Sequence, residues 1–394
     1  MDLLSIAGGQ LHYHHDGAPA VAIESRFARE LIARDESSRR TTSWKYAERG
    51  EAGGGGGMLS GTQLWGRRGT PGVALAPPRF LYACAGGAPG AIYYLLQVAG
   101  SIGLFRYHID EQREVRLFHR SATPVLGMTY DAAARRLILA NAYADGSAHL
   151  DVYDEDGNRQ GTVTSGDCVD AAPARIWGLP NALVYQSTGV ARHPQQGYVV
   201  ALGHAVINRL NFATGQIDTV LEDPAWDYVA PRAGRDGSLF AIRRPFEKPA
   251  HEQAGTALKD TVMMPFRLGK AVFGYLDFFT RIYGKEPLRS AGGPRAPELD
   301  QDLGQLWLHG RMIDLRKAGA DARQAGSLVP GSWELIQVPP NSRTPRVLAT
   351  HVAGFDLLAD DTPVITNGYD ISALQGQGRV KLARRDLVEA VAAL

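Results

Sequence analysis

Most of this chain alternates between apolar and polar residues with a period of two, which is the pattern of half-buried β-strands. The run HLDVYDEDGNRQGTVT at 149–164 places a turn of Asp, Gly and Asn between two amphipathic runs, and therefore predicts a β-hairpin. Similar hairpins are predicted at 10–24, 103–119, 207–221, 333–349 and 379–391. Six hairpins suggest six similar units.

A second pattern recurs between these hairpins: a strand, a polar turn rich in Asp, Gly or Pro, and an apolar strand. The apolar strands align at Ile92, Leu137, Tyr198 and Leu239, which are about 40–60 residues apart and so close to the size of one four-stranded propeller blade. The next copy, at Val364, follows one blade plus an insertion of roughly 80 residues.

The sequence therefore predicts an all-β fold, a six-bladed β-propeller with an α-helical insertion in a late blade; five or seven blades also fit the spacing. We expect one domain over 1–394, an insertion of helix and hairpin over 250–331, and an irregular first blade over 1–79. Because strand patterns occur at both chain ends, the two ends are expected to pair and close the ring. Within the insertion, QLWLHGRMIDL at 305–315 predicts a short hairpin.

The stretch MMPFRLGKAVFGYLDFFTRIYGK at 263–285 predicts the helix of this insertion. At about 100° per residue, its charged residues fall within an arc of about 80°, and aromatic and aliphatic residues fill most of the remaining circumference. Asp277 lies among the cations of the polar stripe. Such a helix must bury nearly all of its surface except one stripe.

Three roles for this helix remain open. It packs on the propeller as a structural cap, it docks a partner protein, or it contacts a membrane surface through 262–285. The cations favour the membrane contact, whereas Asp277 opposes it. The candidate docking residues are Phe266, Arg267, Lys270, Phe273, Tyr275, Phe278, Phe279 and Arg281.

Composition restricts the partners only slightly. Among 394 residues, 42 Lys and Arg stand against 41 Asp and Glu, so the net charge of +1 gives no electrostatic reason to expect nucleic acid. The start, MDLLSIAGGQLHYHHDG, lacks the basic and apolar regions of a signal peptide, so the expected compartment is the cytoplasm. Cys84 and Cys168 are far apart without zinc-ligand spacing, and are interpreted as small buried hydrophobic residues.

Few residues suggest catalysis. His12 and His14 lie two apart, on one face of a predicted strand, and could hold a metal only with a third ligand from elsewhere. HYHHDG resembles a fragment of the metallo-β-lactamase motif HxHxDH, but its order departs from that motif. Ser101 in AGSIG departs from the nucleophile elbow, and the glycine run within 48–63 lacks the Lys-Ser or Lys-Thr of a phosphate-binding loop. Ordinary roles in turns and strands explain these motifs without a metal site, a nucleophile or a phosphate-binding loop.

Two runs carry a resemblance to a known fold family. YVAPRAGRDGSLFAIRRP at 228–245 and GVARHPQQGYVVAL at 189–202 resemble the WD40/NHL-like repeat unit of TolB-like and NHL-type six-bladed β-propellers. Together, RRPFEKP, the 263–285 run and GSWELI are similar to an uncharacterised bacterial family of TolB-like propellers with a helical insertion. This resemblance implies a fold rather than an activity. Some bacterial propellers of this kind accompany MoxR-type ATPases and von Willebrand A domains, which would provide the protein partner.

We therefore expect a non-catalytic propeller scaffold for protein–protein interaction, without a cofactor. The alternative is a metal-dependent, lactonase-like hydrolase that uses the funnel of the central channel. Asp227, Asp356, Asn141 and Asn367 lie near strands that could reach this channel, and the metal candidates are His12, His14, Asp227 and Asp356. Three or more converging Asp, Glu, Asn or His side chains would favour the hydrolase, whereas an apolar or plugged channel would favour the scaffold.

Overall fold

The computed structural model describes residues 1–47, 77–98, 100–121, 123–247, 305–314, 320–342, 344–376 and 378–394. Within these ranges the chain forms six four-stranded antiparallel blades, and outside them one long helix, one short helix and one additional hairpin. The all-β propeller predicted from the alternating pattern is confirmed. The insertion helix predicted at 262–285 lies outside the described residues.

The strands of each blade are given from the innermost outward. Blade 1 contains β26 (Val388–Ala393), β1 (Leu3–Ala7), β2 (Gln10–His14) and β3 (Val21–Ile23). Blade 2 contains β4 (Arg79–Ala85), β5 (Ala91–Val98), β6 (Ser101–His108) and β7 (Arg113–Ser121). Blade 3 contains β8 (Val125–Asp131), β9 (Arg136–Ala142), β10 (Ala148–Asp154) and β11 (Arg159–Thr162).

Blades 4 to 6 continue this order. Blade 4 contains β12 (Cys168–Arg175), β13 (Ala182–Arg192), β14 (Val199–Asn211) and β15 (Ile217–Leu221). Blade 5 contains β16 (Trp226–Ala233), β17 (Leu239–Pro245), β20 (Glu334–Val338) and β21 (Arg346–Thr350). Blade 6 contains β22 (Gly354–Leu357), β23 (Pro363–Thr366), β24 (Asp370–Gln375) and β25 (Gly378–Arg384).

The remaining described elements are α1 (Arg26–Ala47), the hairpin β18 (Gln305–Leu308) and β19 (Arg311–Asp314), and α2 (Ala320–Gln324). The hairpin predicted at 305–315 is therefore present, and it interrupts blade 5 between the second and third strands. Neither described helix is long and apolar enough to cross a membrane. The sequence interpretation did not include α1, which follows blade 1 directly.

Pairing of the chain ends closes the ring. The last strand, β26, runs antiparallel to β1 and forms the innermost strand of blade 1. The Glu389 carboxylate accepts a hydrogen bond from the Gly9 amide at 2.9 Å. It also forms an ion pair, at 3.2 Å, with Arg79, the first residue of blade 2. The Phe80 amide donates to the Gly9 carbonyl at 2.8 Å. The closing strand is thus hydrogen-bonded to blade 1 and, through Glu389, to blade 2.

Two details of the repeat alignment are wrong. The run 379–391 is not a hairpin, because β25 pairs with β24 in blade 6 while β26 pairs with β1 in blade 1. Tyr198 was aligned with second strands, but it directly precedes β14, the third strand of blade 4. Both errors arise because alternating apolar and polar residues identify a strand but do not indicate which other strand it pairs with.

Apolar side chains fill the spaces between neighbouring blades. Leu4 and Ile6 of blade 1 share a buried cluster with Tyr94 and Phe105 of blade 2, whose rings stack 5.3 Å apart. Similar clusters join blades 2 and 3 and blades 4 and 5. Each blade is therefore stabilised by the next, and stability depends on an unbroken ring.

The closing strand provides a direct test. Val391 in β26 is 5% exposed within the apolar cluster that joins blades 1 and 6. We expect Val391→Asp to lower the free energy of unfolding by about 3 kcal/mol or more, because it buries a carboxylate without a counter-charge. Urea unfolding followed by circular dichroism measures this change.

The matched control is Val380→Asp in the outermost strand β25, where Val380 is 45% exposed. Its free energy of unfolding should stay within about 0.5 kcal/mol of the wild-type value. Equal effects of the two substitutions would contradict the role assigned to the closing strand.

Candidate functional site

The β18–β19 hairpin lies near the starts of several innermost strands. Leu306 and Leu308 are buried in the same apolar cluster as residues of the innermost strands β16 and β22. Trp307, which alternates with them, packs against a second cluster that contains Val169 of the innermost strand β12. The hairpin therefore joins apolar surfaces of blades 3 to 6, and we infer that it covers the channel at the end where the innermost strands begin.

A buried ion-pair network anchors this hairpin. Asp227, near the start of β16, accepts from Arg244 at 3.2 Å and from Arg311 of the hairpin at 3.1 Å. The Ala205 amide also donates to Asp227, at 2.9 Å. Two guanidinium groups and an amide thus surround this carboxylate, so a metal ion would have to displace an arginine to bind it.

His309, in the turn of the hairpin, completes the anchor. Arg244 donates to the His309 carbonyl at 2.9 Å, and the His309 Nε2–H donates to the Ala353 carbonyl at 2.9 Å. Burial, with a smaller contribution from the charge of Arg244, lowers the pKa of His309 to about 4. The imidazole is consequently neutral at physiological pH and serves as a hydrogen-bond donor that holds the hairpin in place.

At the opposite end of the channel, an arginine–tryptophan stack lies where β12 ends. The guanidinium of Arg175 lies 3.7 Å from the Trp177 ring centroid, and that of Arg235 lies 4.2 Å from the same ring. Ala172, with φ at +47°, lies in a bulge of β12 and is followed by Pro173. A bulge changes the direction of the residues that follow it, so it helps to set the orientation of Arg175.

Blade 5 repeats this arrangement. Ala230, with φ at +52°, and Pro231 lie in a bulge of β16 directly before Arg232. Arg232 donates to Asp356 of β22 at 2.7 Å, and Asp356 also accepts from the Ala393 amide of β26 at 2.9 Å. Asp356 therefore links blades 5, 6 and 1. It is bound on both oxygens, so it is not presented as a free base or metal ligand.

Arg175 also lies near charged groups of other blades. Asp356 of blade 6 and Asp131 of blade 3 favour its charged form, whereas burial and Arg235 of blade 5 oppose it. Burial lowers the pKa of Arg175, an effect that Asp356 opposes. Burial raises the pKa of the Cys84 thiol to about 12, so this thiol stays protonated and is a poor nucleophile. We call the set Arg175, Trp177, Arg232 and Arg235 the arginine mouth.

The sequence-derived metal candidates are not brought together. His12 and His14 lie on β2, the third strand of blade 1, away from the innermost strands. His14 Nε2 lies 2.8 Å from the Ser5 hydroxyl, and burial, followed by the charge of Arg385, lowers the pKa of His14 to about 4. Within the described residues, the group with metal-ligand spacing contains none of His12, His14, Asp227 or Asp356.

The two asparagine candidates have local roles. Asn141 lies on the second strand of blade 3, where it accepts from Arg120 at 2.6 Å and donates to Asp151 at 2.7 Å. Asn367 follows β23, and its side-chain oxygen accepts the amides of Tyr369 and Asp370. One residue joins a hydrogen-bond network between blades, and the other caps a turn.

A different set does approach metal-ligand geometry. His149 of β10, Cys168 and Asp170 of β12 place one ligand atom each within 4.8 Å of the others. Cys168 is only partly buried and has polar neighbours, so interpreting it as a small hydrophobic residue was wrong. The spacing rules used on the sequence missed this group because its ligands come from two blades.

A pocket of about 280 Å³ opens between blades 2 and 3. Its lining includes Tyr93, Tyr130, Arg135 and Glu155. Glu155 accepts from the Tyr130 hydroxyl and from Arg135 at 2.7 Å. Its carboxylate is thus already bound and is not available as an unpaired general base.

Sequence reasoning also missed the arginine mouth. Its signal is present as Ala-Pro followed closely by Arg, in DAAPAR at 170–175 and in VAPR at 229–232. Proline within an apolar strand marks a bulge or an edge. Two such bulges at corresponding positions of consecutive blades indicate that the following arginines share one end of the channel.

Comparison with known proteins agrees with this architecture. No family model matches the chain, and no curated protein sequence matches it. TolB from Acinetobacter baumannii is similar with a TM-score of 0.50 and 8% identity over 100% of this chain and 67% of that chain. A structure of a nidogen/laminin complex is similar with a TM-score of 0.52 and 8% identity over 99% of this chain and 97% of that chain.

A third solved structure is more distant. Oligogalacturonate lyase from Vibrio parahaemolyticus has a TM-score of 0.39 and 10% identity, over 76% of this chain and 76% of that chain. The TolB and nidogen/laminin similarities identify the fold as a TolB-like β-propeller, as the resemblance of the repeats implied. At these identities they concern the fold alone.

The hairpin anchor is testable through Asp227. We expect Asp227→Asn to lower the free energy of unfolding by about 3–5 kcal/mol, because it leaves the guanidinium of Arg244 buried without its counter-charge. Chemical denaturation measures the loss. Limited proteolysis should also cleave more readily near 305–314, since Arg311 loses the same partner.

The control makes the same change in an exposed ion pair. Asp218, on the outermost strand of blade 4, pairs at 3.0 Å with Arg209 of the adjacent strand β14, and both side chains are exposed. Asp218→Asn should change stability by less than about 1 kcal/mol. If both variants lose the same stability, the Asp227 network does not anchor the hairpin.

Proposed function

We propose that this chain is a non-catalytic β-propeller scaffold that binds an acidic segment of a partner protein at the arginine mouth. One observation carries the proposal. The Arg175 and Arg235 guanidiniums lie over the Trp177 ring, and among the described residues neither side chain has an ion pair with a carboxylate. Cations held at a channel opening without a direct ion-pair partner favour an external anion.

The chemistry of the mouth favours carboxylates on a peptide. A guanidinium presents paired N–H donors that match the two oxygens of a carboxylate. Stacking on Trp177 holds the planes of Arg175 and Arg235 and reduces the conformational entropy lost on binding. Arg232 is already paired with Asp356, so it orients the mouth rather than supplying an unpaired charge.

The two ends of the channel differ in a way that supports one direction of access. The hairpin, anchored by Arg311 and Asp227, covers the other end. A flexible acidic segment would therefore reach the channel from the arginine mouth. An apolar or plugged channel was the feature expected of a scaffold, and the apolar hairpin at one end supports this proposal over a catalytic funnel.

The hydrolase alternative lacks a comparable observation. It requires Asp227 and Asp356 as metal ligands, but both are held by arginines. The buried Cys84 thiol stays protonated and is a poor nucleophile. We therefore propose no reaction at the channel.

Several aspects of the scaffold remain predictions. The docking helix at 262–285 lies outside the described residues. Its contact with a partner protein or a membrane surface therefore remains a prediction. A MoxR-type ATPase or von Willebrand A partner, and a cytoplasmic bacterial setting, likewise rest on the sequence resemblance. The arginine mouth does not depend on any of these, because its residues are all described.

Fluorescence anisotropy with a labelled hexaglutamate peptide tests the proposal. We expect hexaglutamate to bind, hexaglutamine to bind far more weakly, and the affinity to fall with salt. The double variant Arg175→Gln, Arg235→Gln should weaken binding at least about tenfold, because each charge-assisted hydrogen bond contributes about 1.5–3 kcal/mol.

The control is Arg346→Gln. Arg346 begins the outermost strand of blade 5, and because adjacent strands are antiparallel it lies on the same face as the mouth but at the rim. This variant should bind hexaglutamate with nearly wild-type affinity. If it weakens binding as much as the double variant does, the attraction is a general surface effect and the proposed site is wrong.

A further inference from the structure

A three-residue cluster lies where blades 3 and 4 meet. The third strand of blade 3 and the innermost strand of blade 4 share a parallel bridge between Ala148 and Val169. Because side chains alternate along a strand, Cys168 and Asp170 both project to the side opposite Val169. His149 of β10 meets them there, with its Nδ1 3.9 Å from the Cys168 Sγ and 3.8 Å from the Asp170 Oδ2.

The carboxylate of this cluster is incompletely satisfied. Asp170 is 1% exposed, and its Oδ1 accepts from the Ser187 hydroxyl at 2.7 Å. Its Oδ2 is buried, has no hydrogen-bond partner among the described residues, and faces His149 and Cys168. An unpaired carboxylate oxygen in the interior is destabilising. A cation placed among the three ligand atoms would satisfy it.

We infer that His149 Nδ1, Cys168 Sγ and Asp170 Oδ2 form a binding site for a zinc-like divalent transition ion. Zinc bonds of about 2.0–2.3 Å place tetrahedral ligand atoms about 3.3–3.6 Å apart. The separations of His149 Nδ1 from the other two ligand atoms, 3.9 and 3.8 Å, exceed this by a few tenths of an ångström, and all three atoms lie within 4.8 Å of one another. Small side-chain movements therefore close the site, without any change in the strands.

The donor set selects the class of ion. A thiolate and an imidazole favour zinc or cobalt, whereas magnesium and calcium prefer sites made of oxygen ligands alone. Ser187 holds the carboxylate in place through its other oxygen, which is the usual role of an outer-shell hydrogen bond. Water fills the fourth position. The Cys168 thiol loses its proton to solvent when the ion binds, so binding weakens as the pH falls.

Such an ion would join blades 3 and 4 beneath the hairpin at the end of the channel. Its ligands come from β10 of blade 3 and β12 of blade 4. Val169, between two of the ligands, belongs to the apolar cluster on which Trp307 of the hairpin packs. Metal binding therefore stabilises the blade contact beneath the hairpin, and it is independent of the arginine mouth at the opposite end.

Cobalt titration of the metal-free full chain tests this inference. Cobalt(II) bound to a thiolate gives a charge-transfer absorption that it lacks in water. We expect this band to saturate at one equivalent of cobalt and to disappear when zinc displaces the cobalt. Cys168→Ser should abolish the band. Asp170→Asn should weaken cobalt binding by at least about tenfold, since even outer-shell changes weaken metal sites by about 10–100-fold.

Cys84→Ser is the matched control, because it removes the other cysteine of the chain, and it should leave the band and its stoichiometry unchanged. Circular dichroism establishes that each variant is folded; if Cys168→Ser is not, His149→Gln takes its place and should also reduce cobalt affinity by at least about tenfold. The inference is overturned if wild-type protein shows no thiolate band, if the band survives Cys168→Ser, or if Cys84→Ser removes it. Displacement of cobalt by equimolar magnesium would also overturn it.

Discussion

Ring closure is the constraint on which the rest of this structure depends. Each blade packs its apolar faces against two neighbours, so an open ring would leave two faces exposed to water. The pairing of β26 with β1 removes that exposure, and Glu389 extends the closure to Gly9 and Arg79. The innermost strands then surround one channel, and every candidate site described above takes its geometry from that arrangement.

The channel is chemically different at its two ends because different features modify the innermost strands there. Near the starts of these strands, the inserted hairpin covers the opening with Leu306, Trp307 and Leu308, and Asp227 holds it through Arg311. Near their ends, bulges that contain Ala172 and Ala230 precede the arginines of the mouth. One end is therefore apolar and closed, whereas the other is cationic.

The local periodicity of the sequence was sufficient to predict strands, blade size and the 305–315 hairpin, because each depends on residues close in sequence. Six was the preferred blade number, but five or seven also fitted the spacing. It was not sufficient to assign partners. The C-terminal run at 379–391 has the pattern of a hairpin, yet its two strands belong to different blades.

The same limit applies to the candidate sites. Asp227 and Asp356 were identified as polar residues near the channel, but the arginines that neutralise them come from other strands or other blades. The proximity of His149 and Cys168 likewise could not be predicted from the sequence, because only the contact between blades 3 and 4 brings them together.

We infer that the hairpin at 305–314 is a fixed cover of the channel, and hydrogen–deuterium exchange of the free protein is the sharpest test of this inference. Backbone amides that are hydrogen-bonded and packed in a core exchange slowly, whereas those of loosely attached segments exchange quickly. We predict that peptides covering 305–314 exchange nearly as slowly as those of the buried strand β5. Exchange as fast as that of exposed turns such as 213–216 would contradict the account, because the channel would then be open at both ends.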